Sequence, residues 1–274
     1  MACQTHRSAL PDCPVFEGDV RDLDPPDADV YWASPPCQAW SVGGRRLGAK
    51  DLRNGWPWVW DAYDRAAVKP RWLFVENVPG MTHHAKDGHG DPSRCAGCYL
   101  DAVVLPNLRA RFRHVVARVL DAADFGVPQH RRRLFIVASQ QPYRWPTPTH
   151  CAPGTLFASC GLASWVTMRQ ALNLGTQRTI GGGSNPHGPD RAHERKFVEL
   201  TDRPSTTITA VRIGNAGPWI VGSGRRHLTV AERGVLQGFA SDWPWQGTWR
   251  SRHAQTGNAV PPALARALVS QVLR

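Results

Sequence analysis

Ala33-Ser34-Pro35-Pro36-Cys37-Gln38-Ala39-Trp40-Ser41 decides the fold. It follows an apolar run, Ala28-Asp29-Val30-Tyr31-Trp32, that predicts a buried strand of a parallel sheet. Two prolines fix their own φ and restrict the residue before them, so a thiol placed directly after them is held rigidly. That thiol also stands at the C-terminal edge of the sheet, where open α/β folds bind ligands. Taken alone, Cys37 reads equally well as a packed cysteine, because free cysteines are commonly buried and inert.

Three later stretches supply what a nucleophilic Cys37 needs. Arg71-Trp72-Leu73-Phe74-Val75-Glu76-Asn77-Val78-Pro79-Gly80 is a second apolar strand, ending in a carboxylate. Phe125-Gly126-Val127-Pro128-Gln129-His130-Arg131-Arg132-Arg133-Leu134-Phe135-Ile136-Val137 is a turn that feeds basic residues into a third strand. Gln255-Thr256-Gly257-Asn258-Ala259-Val260-Pro261-Pro262 leads into a helix near the C-terminus.

Together, in this order, these stretches resemble the DNA cytosine-5 methyltransferases. The Pro-Cys-Gln, Glu-Asn-Val and Gln-x-Arg-x-Arg motifs match, as do Arg203-Pro204-Ser205-Thr206-Thr207-Ile208-Thr209 and the Gly-Asn-Ala-Val ending. The resemblance covers nearly all of the chain from about Val15 onward. It implies an α/β, doubly wound, Rossmann-like methyltransferase domain with a smaller, mostly β, target-recognition domain. It implies S-adenosylmethionine as cofactor and double-stranded DNA as partner. By the same resemblance Cys37 adds to carbon-6 of a flipped cytosine and Glu76 serves its N3. Arg133, with Arg131 beside it, holds the ring carbonyl. Asp19 and Val20 meet the adenine of the cofactor, and Pro35, Asn258 and Val260 complete its site. Gln38, Ser41, Gly43, Arg45 and Gln129 face DNA.

Composition agrees with a nucleic-acid partner. The net charge is +11, and 29 of the 33 basic residues of the 274 are Arg. Arg matches phosphate and guanine edges bidentately, although compositional bias of the source genome gives the same count. No stretch approaches the roughly 20 apolar residues of a membrane span, and no signal-peptide pattern opens the chain. Seven cysteines is an odd number for a disulfide framework, and a catalytic thiolate needs a reducing compartment. A cytoplasmic monomer is expected.

The family's first Gly-rich turn, and the strand ending in a ribose-binding acid, are not visible in residues 1 to 14. The chain is therefore expected to need a complementing N-terminal segment to hold its cofactor well. Met1-Ala2-Cys3-Gln4-Thr5-His6-Arg7 reads as a helix, and Cys13 to Val20 as a strand ending at Asp19, which alternatively reads as a helix N-cap. Ser41 to Asn54 is Gly-rich and basic, either a mobile lid or a solvated loop. Trp56 to Ala67 reads as a helix. Met81 to Cys98 carries His83, His84, His89, Cys95 and Cys98. Cys95-x-x-Cys98 is half a zinc site that His84 and His89 could complete, or part of a surface insertion.

Residues 99 to 120 predict a helix and a strand, with Arg109, Arg111 and Arg113 on a solvated helix face. Gln141 to His150 is a proline-rich crossing linker. Beyond it, residues 151 to 250 predict an irregular, mostly β region. There Arg178 to Arg195 is the candidate base-reading run, with Arg178 and Arg191 as DNA contacts, or else a disordered loop. Thr229 and Glu232 predict a capped helix, and residues 258 to 274 the last helix. The expected domains are 1–149, 150–250 and 251–274. Three other readings stay open: a catalytically silent DNA-binding remnant, one half of a split enzyme, and an RNA cytosine-5 methyltransferase.

Overall fold

A computed structural model describes residues 1–40, 48–84, 90–154, 161–182, 197–210, 219–221 and 225–273. In chain order the elements are α1 (Ala2–Ala9), β1 (Val30–Ala33), α2 (Trp56–Arg65), β2 (Trp72–Asn77), α3 (Ala96–Tyr99), α4 (Leu105–Arg109), β3 (His114–Asp121), β4 (Arg132–Ser139), β5 (His150–Cys151), β6 (Ala163–Ser164), α5 (Met168–Leu172), β7 (Arg178–Gly182), β8 (Phe197–Glu199), β9 (Trp219–Val221), β10 (Arg225–His227), α6 (Val230–Leu236), α7 (Trp249–Asn258) and α8 (Pro262–Val269). A π-helical turn over Leu100–Val104 joins α3 to α4.

The chain divides into two compact units. One comprises Gly18–Leu120, Arg132–Trp145 and Gln271–Arg274; the other comprises Met1–Glu17, Asp121–Arg131 and Pro146–Ser270. The step at Trp145–Pro146 falls inside the proline-rich stretch expected to cross. The remaining divisions differ from the linear boundaries at 149 and 250, because α1 packs with the C-terminal half. There the Gln246 N–H donates to Thr5 Oγ1 at 2.8 Å.

In the first unit the sheet has the order β1-β2-β4-β3. β1 runs parallel to β2, with Trp32 opposite Phe74 and Ala33 opposite Val75. β4 runs antiparallel to β2, with Glu76 opposite Phe135, so the sheet is mixed. Leu73, Val75, Leu134 and Ile136 cluster with Trp56, Tyr63 and Phe112 in the core. The alternate residues are covered too: Trp32 stacks on Phe74 at 5.7 Å and Tyr143 meets Phe74 edge-on. Burial of both faces explains the near-continuous apolar runs of β2 and β4. α2 opens with Pro57 in its first turn. It ends where Lys69 Nζ donates to the carbonyls of Tyr63, Asp64 and Ala66, a cation on the negative end of the helix.

Some expectations fail here. Residues 13 to 20 form no strand; among the described residues β1 pairs with β2 alone, and no ladder reaches this segment. Phe16 is 69% exposed as a result. Arg111 and Arg113 lie beyond the end of α4, and Arg111 is bonded to Asp64 and to the Asn107 carbonyl.

The second unit has an antiparallel sheet of order β10-β9-β7-β8 and a small β5-β6 pair. Met168, Leu200, Ile208, Ile220, Leu228 and Leu236 fill its core. α6 carries the anticipated capping box between Thr229 and Glu232. α7 was not anticipated: it is polar, without an apolar stripe, and is started by Thr248 accepting from the Ser251 N–H. Asn258 therefore ends α7, and the last helix begins only at Pro262. Glycine is required at 257, where a Cβ would lie 2.1 Å from the Ala210 nitrogen.

Asp121 organises the turn before β4. It accepts from His130 Nδ1 at 3.0 Å, from the Arg131 N–H at 2.9 Å and from the Ala123 N–H at 3.2 Å. Burial alone would push its carboxyl up, but these donors, His130 first, hold it below the usual carboxylate range. A depressed folded value gives stability that is present above the unfolded value, about 3.9, and is lost as pH falls through the folded one. Asp121→Asn is expected to cost about 1–3 kcal/mol at pH 7. Urea melts at pH 7 and pH 3 check this: the gap between wild type and variant should narrow at the lower pH.

Candidate active site

The site is built within the first unit where β1 and β2 end and the antiparallel β4 begins. The Pro35-Pro36-Cys37 turn leaves β1, and two contacts lock it. Asn77, 2% exposed at the end of β2, donates from Nδ2 to the Pro35 carbonyl at 3.2 Å. Gly55, at the start of α2, lies so close that a Cβ there would come within 2.5 Å of Pro36 Cδ. Beyond Cys37 the chain is anchored by Trp40, which stacks on Tyr99 at 4.5 Å. Its indole donates to Asn54, and Asn54 donates in turn to the Tyr99 hydroxyl. The Gly48 N–H donates to the Ala39 carbonyl at 3.2 Å. Ser41, Gly43 and Arg45 lie outside the described residues, as does the first half of the expected lid, residues 41–47.

Glu76 and Arg133 occupy the same face of the sheet. Glu76 pairs with Phe135 in the ladder, and Arg133, two residues before Phe135, sits one diagonal step away. Arg133 Nε lies 2.9 Å from Glu76 Oε1, with the two side chains only 13% and 12% exposed. Burial pushes the Arg133 guanidinium down from its ordinary value, and the negative charges of Glu76 and Cys37 oppose that shift. One enclosed cation is thus in electrostatic reach of both the thiol and the carboxylate. Such a constellation can hold negative charge that develops on an aromatic ring.

Sequence reasoning missed Asn77 and Gly55. An asparagine at the end of a buried strand is a departure from strand preference, and that was the available signal. Gly55 carried no signal of its own.

The other expected site residues fall elsewhere. Gln38 is exposed beside Cys37, and Pro35 is half-buried. Asp19 is a surface group: Arg21 donates to both of its oxygens and holds its carboxyl down to about 2. It caps no helix, and Val20 beside it is 43% exposed. The two residues read as adenine contacts are thus an ion-paired surface carboxylate and a part-exposed apolar side chain.

In the second unit Asn258 is exposed and lines an open groove of about 500 Å³ with Phe239, Trp243 and Trp245. Val260 is half-buried. Gln129 and Arg131, expected at DNA and at the reacting base, are instead buried at 0% and 2% exposure. Gln129 Nε2 donates to the Leu236 carbonyl and to Gln237, and its Oε1 accepts from the Ile208 N–H. Arg131 donates to the carbonyls of Ile208 and Gly257, 3.0 Å each. Both therefore knit the second unit together. Arg178 is exposed and ion-paired with Glu199 at 2.7 Å; an exposed pair contributes at most about 1 kcal/mol, so a phosphate can compete for it. Arg191 lies outside the described residues.

Comparison with known proteins agrees with this arrangement. The profile of the C-5 cytosine-specific DNA methylase family matches residues 1–159 and 175–274. The type II methyltransferase M.AplI of Arthrospira platensis is 30% identical over 249 residues, covering 89% of this chain and 68% of the relative. M.NaeI of Lentzea aerocolonigenes is 32% identical over 301 residues, covering 99% and 66%. The chain thus spans about two thirds of the length of both relatives. Among solved structures, the Dnmt2 methyltransferase of S. pombe is similar in fold, with a TM-score of 0.65 at 16% identity over 99% of this chain and 87% of that one. Spodoptera frugiperda DNMT2 gives 0.61 at 14% over 99% and 88%. Mixed sheet, cysteine turn and paired carboxylate define a methyltransferase of the α/β class. The chain belongs to the C-5 cytosine-specific DNA methylase family, a family of S-adenosylmethionine-dependent DNA cytosine-5 methyltransferases.

Proposed function

We propose that this chain methylates carbon-5 of a flipped cytosine in double-stranded DNA through a covalent adduct on Cys37. The observation that carries the reading is the enclosed Glu76–Arg133 pair beside the Pro-Pro-Cys turn. Carbon-5 of cytosine is too weak a nucleophile to take a methyl group unaided. Attack by the Cys37 thiolate forms the sulfur–carbon-6 bond and moves an electron pair into the ring, making carbon-5 enamine-like. Glu76 donates a proton to N3 to receive that charge and accepts from the exocyclic amino group. Arg133 holds the ring carbonyl and keeps Glu76 in place.

S-adenosylmethionine, when bound, supplies the methyl group; the protein's own residues prepare the carbon that receives it. A water acting as base then takes the carbon-5 proton; the freed electron pair restores the ring's double bond, Cys37 leaves as a thiolate, and N3 returns its proton to Glu76. A duplex hides carbon-6, so the base must leave the stack, while Arg side chains meet phosphates without reading sequence. The names of M.AplI and M.NaeI favour the modification arm of a restriction system. No helix among the described residues is long and apolar enough to cross a membrane, which accords with action on cytoplasmic DNA.

Mass spectrometry of nucleosides from duplex DNA incubated with the protein and methyl donor tests the activity. Accumulation of 5-methylcytosine is expected, with none in a parallel RNA reaction. Arg133→Lys keeps a charge but cannot reproduce the guanidinium fork. It should lower the single-turnover rate by at least about tenfold while leaving DNA affinity nearly unchanged; an equal loss in both would place Arg133 in DNA binding instead.

A further inference from the structure

His84, Cys95 and Cys98 converge outside the catalytic centre. Their ligand atoms all lie within 4.8 Å of one another. His84 Nδ1 is 3.9 Å from Cys95 Sγ and 3.5 Å from Cys98 Sγ. Sulfur and nitrogen ligands at ordinary bond lengths around a tetrahedral zinc stand about 3.6 Å apart. The sulfurs are enclosed, at 0% and 9% residue exposure, whereas the His84 side chain is 44% exposed.

Several neighbours suit a metal. The Gly90 N–H donates to Cys98 Sγ at 3.2 Å and the Cys98 N–H to Cys95 Sγ at 3.4 Å, which are donors that favour thiolates. Asp101 Oδ2 lies 3.5 Å from His84 Nε2, the ring nitrogen facing away from the sulfurs, as carboxylates do behind metal-bound imidazoles. Gly97, between the two cysteines, leaves room for the ring: a Cβ there would lie 2.8 Å from His84 Cε1 and 2.9 Å from Nδ1. Its N–H also donates to the His83 carbonyl at 3.0 Å.

We propose that His84, Cys95 and Cys98 bind one zinc ion, with solvent or a further side chain as fourth ligand. Two thiolates and an imidazole suit Zn²⁺ over the oxygen-seeking cations. His83 does not join the cluster, and His89 lies outside the described residues. The ion clips the Pro79–Thr82 turn, which directly follows the strand carrying Glu76, onto α3. The same segment braces the end of the loop after Cys37. The Ala49 N–H donates to the Ser93 carbonyl at 3.0 Å, and Gly48 packs so tightly that a Cβ would meet that oxygen at 2.1 Å. The role is structural and separate from the chemistry at Cys37.

The test uses the full chain, expressed with zinc and freed of loose metal. Elemental analysis should give about one zinc per chain. His84→Ala and Cys98→Ser should lose at least nine tenths of it, and His83→Ala should keep it. Gly97→Ala, which displaces the ring while sparing every ligand, should weaken zinc at least about tenfold in chelator competition. Should the ligand variants fail to fold, cobalt exchanged into the wild type decides. Sulfur-to-cobalt charge transfer with intense tetrahedral bands supports the site. A folded wild type without zinc and without that spectrum overturns it, as does undiminished zinc in folded Cys98→Ser.

Discussion

Cys37→Ser should abolish methyl transfer, with a loss of at least about 10⁴-fold, the scale seen when a covalent nucleophile is removed. The hydroxyl is nearly the size of the thiol, so the Pro35-Pro36 turn and its lock to Asn77 should be undisturbed. DNA affinity should stay within about a factor of three, because phosphate contacts and not the reacting atom carry it. A single-turnover methylation assay with a filter-binding titration separates the two quantities. A Cys37→Ser variant that still transfers methyl at a measurable fraction of the wild-type rate would remove Cys37 from the chemistry.

Glu76→Gln should be the next most damaging change. The amide keeps the shape and can still meet Arg133, but it cannot deliver a proton to N3. The expected loss in the chemical step is at least about a hundredfold, the lower range for general acid catalysis. The exchange also leaves the guanidinium of Arg133 without its carboxylate partner in an enclosed site, where an uncompensated charge is costly. A thermal melt should accompany the kinetics. A large rate loss with a small shift in melting temperature assigns Glu76 to the reaction, whereas parallel losses assign it to the fold.

Much of this site was legible because it is local. Cys37 follows the apolar run of β1, Glu76 closes that of β2 and Arg133 opens that of β4, and those three strands are neighbours in one sheet, although β1 at its edge is half-buried where a buried strand was expected. The ladder register then decides which side chains share a face. Gln129 and Arg131 sit in the same short motif as Arg133, so the sequence offers no way to tell them apart. The partners of their side chains named above are 77 to 126 residues away, and burial created by such distant segments leaves no trace in local spacing.

The strand expected to end at Asp19 failed for a local reason. Arg21 two residues later claims its carboxylate, and the adjacent Phe16 and Val20 are left exposed instead of entering a ladder. α7 was invisible because Trp249-Arg250-Ser251-Arg252-His253 shows no apolar period, its start being set by the Thr248 cap. The His84, Cys95 and Cys98 cluster was half visible: Cys-x-x-Cys is a weak signal alone, and only the fold shows which histidine faces it.

Trapping the covalent intermediate tests the central claim most directly. Duplex DNA carrying 5-fluorocytosine blocks the release step, because fluorine replaces the proton that must leave carbon-5. With the methyl donor present, the protein should form an adduct that survives denaturation, and peptide mapping should place it on Cys37. An adduct mapped to another cysteine, or none in folded protein shown to bind both DNA and donor, would contradict the account.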